Sequence, residues 1–382
     1  MNRNPIRAGD WIEVRSQAEI LATLDSEGRL DGLPFMPEML AFCGRRMRVQ
    51  SVAHKTCDTV WQTGGRRIRN AFHLEGARCD GSAHAGCQAA CLLFWKGEWL
   101  KPVLDASSSS AETSGTPSAS GNGLSTGGHA SSVAERSACG ASIDVAGLHA
   151  RTLSPESTPE DPRYSCQATR LHDYSELLQW WDVRQYWRDL RYRNVAAGEW
   201  AKTLFLAMLF HLRRLPVAYR LNVWLYEKAH RWLRGRPAPH GVGQIPSGQP
   251  TPDERLGLQA GEWVEVRPSE EILRTVNVGR RNRGLSFDPE MAPYCGKRYR
   301  VAARITRIIH ERTGEMLEFK NPCIVLDGAV CKAQYSHRRL LCPREITPYW
   351  REAWLKRVDL NNEALGRAGA RPSEERVPET SA

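Results

Sequence analysis

Gly9-Asp10-Trp11-Ile12-Glu13-Val14-Arg15 returns later in the chain as Gly261-Glu262-Trp263-Val264-Glu265-Val266-Arg267. Gly32-Leu33-Pro34-Phe35-Met36-Pro37-Glu38-Met39 returns as Gly284-Leu285-Ser286-Phe287-Asp288-Pro289-Glu290-Met291. Cys43-Gly44-Arg45-Arg46-Met47-Arg48-Val49 returns as Cys295-Gly296-Lys297-Arg298-Tyr299-Arg300-Val301. The offset is 252 each time (261 − 9, 284 − 32, 295 − 43). Leu74 to Cys79 keeps it against Leu326 to Cys331, and it becomes 255 where Cys87, Trp95 and Trp99 match Cys342, Trp350 and Trp354. The chain therefore reads as two copies of one small domain.

The residues within a copy say what kind of domain. Trp11-Ile12-Glu13-Val14 alternates with period two, which suits a half-buried strand. Ser16 and Glu19 form a capping box for a short helix whose apolar face is Ile20, Leu21 and Leu24. Gly28 to Met39 holds Gly32, Pro34 and Pro37 and reads as a structured loop. Arg46 to Val52 is again a strand, and Thr63-Gly64-Gly65 offers a hairpin turn, as Arg312-Thr313-Gly314-Glu315 does in the second copy. Short strands, turns and one helix predict a β-rich α+β chain with two small SH3-like barrels. The expected partition is copy one at 1–103, a disordered linker at 104–165, a basic, Trp-rich helical segment at 166–236, a Pro/Gly linker at 237–255, copy two at 256–360 and a polar tail at 361–382. Ser, Gly, Ala, Thr and Pro dominate the first linker and offer too little apolar surface to offset ordering.

Across 382 residues the formal net charge is +10, with a pI of about 9.2. Such a chain favours anionic partners: a phospholipid surface, nucleic acid or an acidic polymer. There are 11 cysteines. Met1 to Arg7 has no apolar core of the signal-peptide kind, so a cytoplasmic chain with reduced thiols is expected.

The cysteines carry the candidate chemistry. Cys43, Cys57, Cys79 and Cys87 in copy one, and Cys295, Cys323, Cys331 and Cys342 in copy two, would each satisfy a tetrahedral structural zinc site. The absence of any CxxC pair favours the competing reading of buried packing thiols. A nucleophilic Cys57 with His54 or His73 as base is the catalytic reading, confined to copy one because Ile309, Thr306 and Val325 stand at the equivalent places. Phosphate-binding loops, dinucleotide fingerprints and hydrolase motifs are lacking. Glu38 and Glu290 are expected to cap backbone N–H groups.

Between Tyr174 and Gly235 tryptophan and arginine interleave. Leu204 to Phe210 is fully apolar but too short to span a bilayer. With Trp200 and Arg213-Arg214 at its ends, this stretch suits a helix lying in a membrane interface, Leu204, Phe205 and Met208 facing lipid. An ordinary buried helix is the competing reading.

The repeated loop and the Cys-Gly-Arg-Arg after it resemble a family of bacterial proteins with a Gly-Leu-Pro-Phe-Met-Pro-Glu-Met core. The resemblance covers Gly9 to Lys101 and Gly261 to Val358 and implies no activity. The leading functional expectation is a non-catalytic adaptor or scaffold, peripheral to the inner membrane or bound to another protein. A nucleic-acid-binding protein is the alternative, and a Cys/His enzyme is the third.

Overall fold

A computed structural model describes residues 5–103, 143–213, 219–239 and 241–358. Cys139, Arg214 and the tail from 359 lie outside them. The protein is β-rich, with several antiparallel sheets, including a half-barrel sheet, and a few helices.

Trp11–Val14 sits inside a five-stranded sheet. Arg46–Val52 lies on one side, with Trp11 opposite Arg48, and Leu100–Pro102 on the other, with Ile12 opposite Pro102. Ala71–Leu74 and Trp95–Lys96 extend that sheet beyond Arg46–Val52. In the second copy Trp263–Val266 lies between Arg298–Ile309 and Leu355–Arg357, with Trp263 opposite Arg300 and Val264 opposite Arg357. The two registers differ by the sequence offset. Ile12, Val14, Val264 and Val266 are fully buried while Trp11 and Trp263 face out, as period-two alternation requires.

Other details repeat as well. Helix α1 (Gln17–Leu21) has the expected Ser16/Glu19 capping box. A 3-10 turn follows at Pro37–Phe42 and again at Pro289–Tyr294, burying Met39 and Met291. Trp99 Nε1 donates to Thr23 Oγ1 at 3.0 Å, and Trp354 Nε1 to Thr275 Oγ1 at 3.0 Å. Phe35 meets Trp99 edge-on, and Phe287 meets Trp354 the same way. Gly9 and Gly261 have φ of +92° and +94°, a region that strains a residue with a Cβ. We expect Trp99→Ala and Trp354→Ala each to cost about 3–5 kcal/mol in urea unfolding. A loss below about 1 kcal/mol at either position would contradict equivalent cores.

The copies differ beyond this frame. In copy two, Arg298–Ile309 and Met316–Leu326 run as one long hairpin. In copy one the outer part breaks away: Lys55–Cys57 and Gly65–Ile68 form a separate sheet, completed by Ser175–Leu178. The predicted hairpin turn is present, but its strands recruit the helical segment.

The expected linkers are only partly linkers. Residues 143–165 are packed against copy one: Asp144 caps α2 (Val145–Ala150), and Ile143 and Leu148 enter the first core. Tyr164 N donates to Gly314 O at 2.8 Å. Residues 241–245 run along copy two, where Ile245 bridges Asn277. The composition hid these few apolar anchors.

Helices α3 (Arg184–Arg191), α4 (Ala197–Leu212) and α5 (Tyr219–Arg234) follow, and α6 (Ser269–Leu273) is the copy-two counterpart of α1. The copies also touch directly. Gln88 N donates to Arg307 O at 3.2 Å, Arg344 Nη1 donates to Thr59 Oγ1 at 2.7 Å, and Lys55 Nζ donates to Leu340 O at 2.8 Å.

Candidate functional sites: two thiol clusters and a cationic helical hairpin

The ten described cysteines are all free thiols. The expected sets do not assemble as drawn. Cys43 lies against Met39 O, and Cys295 has Ser269 and Glu270 as its polar neighbours. Cys323 sits beside Arg351, whose Nη1 is 3.5 Å from its sulfur. Cys87 Sγ accepts from Ile309 N across the contact between copies.

What assembles instead draws each cluster from more than one part of the chain. In the first cluster Cys79, Cys87, Cys91, Cys166 and His84 line one small cavity of about 30 Å³. Burial, with the Glu38 carboxylate nearby, pushes the Cys79 thiol far up. Burial raises Cys91 to about 12 and Cys166 to about 11. Glu38, Cys79 and His84 each place a ligand atom within 4.8 Å of the others, the one such group among the described residues. These three could hold a metal ion.

The second cluster joins Cys331 and Cys342 of copy two to Cys57 of copy one. The Cys342 thiol donates to Cys57 and, against burial, holds the Cys57 thiol below its ordinary range, helped by Arg344 and Arg339. Cys342 is correspondingly raised. Burial disfavours the Arg339 charge, but the Cys57, Cys331 and Cys342 thiols outweigh it and raise its pKa.

Cys166 and His84 were missed because neither belongs to a repeated position. Cys166 comes from the segment after the linker. The legible signal was Glu38 itself, which recurs as Glu290. Glu290 does cap backbone as expected, accepting from Gln334, Tyr335 and Ser336 N–H. Glu38 makes one such bond, from Ala83 N, and spends its other contact on His84.

Neither candidate base hydrogen-bonds Cys57. His54 Nε2 is 2.8 Å from Asp189 Oδ1 on α3, and Lys55 Nζ donates to Asp189 Oδ2 at 2.6 Å. His73 Nδ1 faces Leu93 O at 2.9 Å, while its Nε2 is buried without a partner. Burial accordingly lowers His73 to about 4. The folded state then binds fewer protons than the unfolded chain. Its contribution is complete above about pH 6.5 and is lost as pH falls toward about 4. We expect roughly 2 kcal/mol of stability to disappear between pH 7 and pH 5 through His73, measured by urea unfolding. His73→Val, the copy-two residue, should flatten that slope. An unchanged slope would contradict the assignment.

The helical segment holds the third candidate. On α4, Thr203, Leu206, Ala207 and Phe210 are buried, one face at i, i+3, i+4 and i+7. Of the expected interface residues, Trp200 and Leu204 pack against Tyr186 and Leu340. Phe205 and Met208 lie on the opposite face, 44% and 51% exposed. Arg213 lies over the Phe210 and Tyr226 rings, and Arg214 falls outside the described residues. Helix α5 adds what the sequence reading missed: Leu221, Trp224, Leu225 and Trp232, at i, i+3, i+4 and i+11, are exposed, Trp232 by 82%. Arg220, Lys228 and Arg231 are exposed on the same helix, and Lys202 on α4. No helix among the described residues is long and apolar enough to cross a membrane.

No family model, curated protein or solved structure matches this chain.

Proposed function

We propose that this protein is a non-catalytic adaptor that docks on an anionic phospholipid surface through the α4–α5 hairpin. The observation that carries the reading is the exposed face of α5, where Leu221, Trp224, Leu225 and Trp232 alternate with Arg220, Lys228 and Arg231. Phe205, Met208 and Leu212 of α4 are exposed too. Soluble monomers rarely expose apolar patches beyond a few hundred Å². An interfacial helix buries such a face at the headgroup boundary, and each nearby Lys or Arg adds about 1 kcal/mol at an anionic leaflet. The two copies, read as SH3-like barrels, would then be a rigid platform facing away from lipid.

Nucleic acid would use the same cations, with the tryptophans stacking on bases. We favour lipid because Leu221 and Leu225 share the α5 face with the tryptophans, and aliphatic side chains gain nothing from stacking. The test is co-sedimentation of the full chain with phosphatidylserine-containing and with purely zwitterionic vesicles, beside single-stranded DNA. Binding to anionic vesicles, weakened by salt, supports the reading. Indifference to vesicles with salt-sensitive DNA binding overturns it.

A further inference from the structure

We propose that Glu38, Cys79 and His84 form a binding site for one thiophilic divalent cation, Zn²⁺ by its ligand preference, in copy one alone. Three observations converge on it. First, the ligand atoms of these residues already lie within 4.8 Å of one another, and the donor set of sulfur, imidazole and carboxylate is the one zinc takes. Three further thiols, Cys87, Cys91 and Cys166, line the same 30 Å³ cavity as Cys79 and His84 but lie outside the group of three.

Second, Glu38 is buried, and its Oε2 has no hydrogen-bond partner. An orphaned buried carboxylate oxygen is costly unless something cationic meets it. His84 shows how the site is oriented. Its Nε2 lies 3.1 Å from the Ser165 carbonyl and its Nδ1 2.6 Å from Glu38 Oε1. A ligating histidine ordinarily donates its far N–H to a carbonyl, which fixes ring and tautomer. With Nε2–H on Ser165, Nδ1 is the ligand atom, and the ion would replace the proton now shared between Nδ1 and Glu38 Oε1. Binding forms a metal–sulfur bond to Cys79 and releases two protons to water, one from the thiol and one from the His84–Glu38 hydrogen bond.

Third, copy two has the same frame but not the same donor set. Both oxygens of Glu290 are taken by the 334–336 turn. Ile346 stands where Cys91 does, by the offset of 255 (346 − 91). The Cys57, Cys331 and Cys342 cluster has no carboxylate or histidine of its own within ligand distance, since Glu38, Cys79 and His84 are the one such group among the described residues.

The experiment is an anaerobic Co²⁺ titration of the full chain, followed by thiolate-to-metal charge-transfer absorption, with zinc content measured on protein as purified. One equivalent per chain is expected. Glu38→Gln and Cys79→Ala, each removing a direct ligand, should lower the affinity by more than the roughly 10–100-fold that loss of an outer partner costs, while Cys342→Ser should leave it unchanged. Should Cys79→Ala not fold, mass spectrometry of thiol labelling on the wild-type chain replaces it: Zn²⁺ should slow modification of Cys79 and leave Cys331 alone. A folded wild-type chain that binds no Co²⁺ and holds no zinc would overturn the proposal. So would a second equivalent that depends on Cys331 or Cys342.

Discussion

Replacing Met208, Trp224 and Trp232 together with aspartate should abolish binding to anionic vesicles while leaving the unfolding midpoint almost unchanged. All three side chains are exposed, by 51%, 53% and 82%, so the folded core loses little, and surface changes usually stay within about ±0.5 kcal/mol each. The membrane-bound state loses far more. Burying such a side chain is worth about 1.5–3 kcal/mol, and each new carboxylate opposes the anionic leaflet. The combined loss should exceed about a hundredfold in partition coefficient, equivalent to 2.7 kcal/mol. The control is Thr203→Val on the buried face of α4, which should leave vesicle binding alone. Unimpaired binding by the triple variant would remove the hairpin from the account.

A loss of stability as large as that of the buried tryptophans is expected at Asp189. Its carboxylate is fully buried and bridges His54 and Lys55. The Lys55 ammonium is buried too and lies 4.9 Å from the Tyr186 ring centroid. Burial lowers the pKa of both His54 and Lys55, with Asp189 opposing. Asp189→Ala leaves the lysine charge without its counterion and should cost about 3–5 kcal/mol. Adding Lys55→Met removes the stranded charge and should recover much of that loss. A single-variant cost below about 1 kcal/mol would show that Asp189 does not tie α3 to copy one. The same tie makes deletion of the helical segment a poor test of docking, because it would uncover Lys55 and remove the strand Ser175–Leu178.

The frame of each copy was legible because it depends on local pattern. The strand Trp11–Val14, the Ser16/Glu19 cap and the buried tryptophans each follow from spacing within a few residues, and the duplication confirmed the reading at a second place. The thiol clusters were not legible, because they form between distant segments. Cys57 crosses to Cys342 and Cys166 returns to Cys79, and no offset within one copy predicts either meeting. The packed stretch after residue 143 was hidden by its composition, since Ile143 and Leu148 are few among many small polar residues. On the hairpin, the apolar run at 204–210 drew the reading to α4, although Leu206, Ala207 and Phe210 are buried against the protein. The wider cationic and aromatic face is on α5, where charges interrupt the apolar spacing.

Hydrogen exchange on the full chain, with and without anionic vesicles, tests the central claim most directly. Docking through the hairpin predicts slowed exchange in 197–212 and 219–234, and unchanged exchange in the strands Trp11–Val14 and Trp263–Val266. Protection confined to either copy, or no protection at vesicle concentrations that sediment the protein, would contradict it.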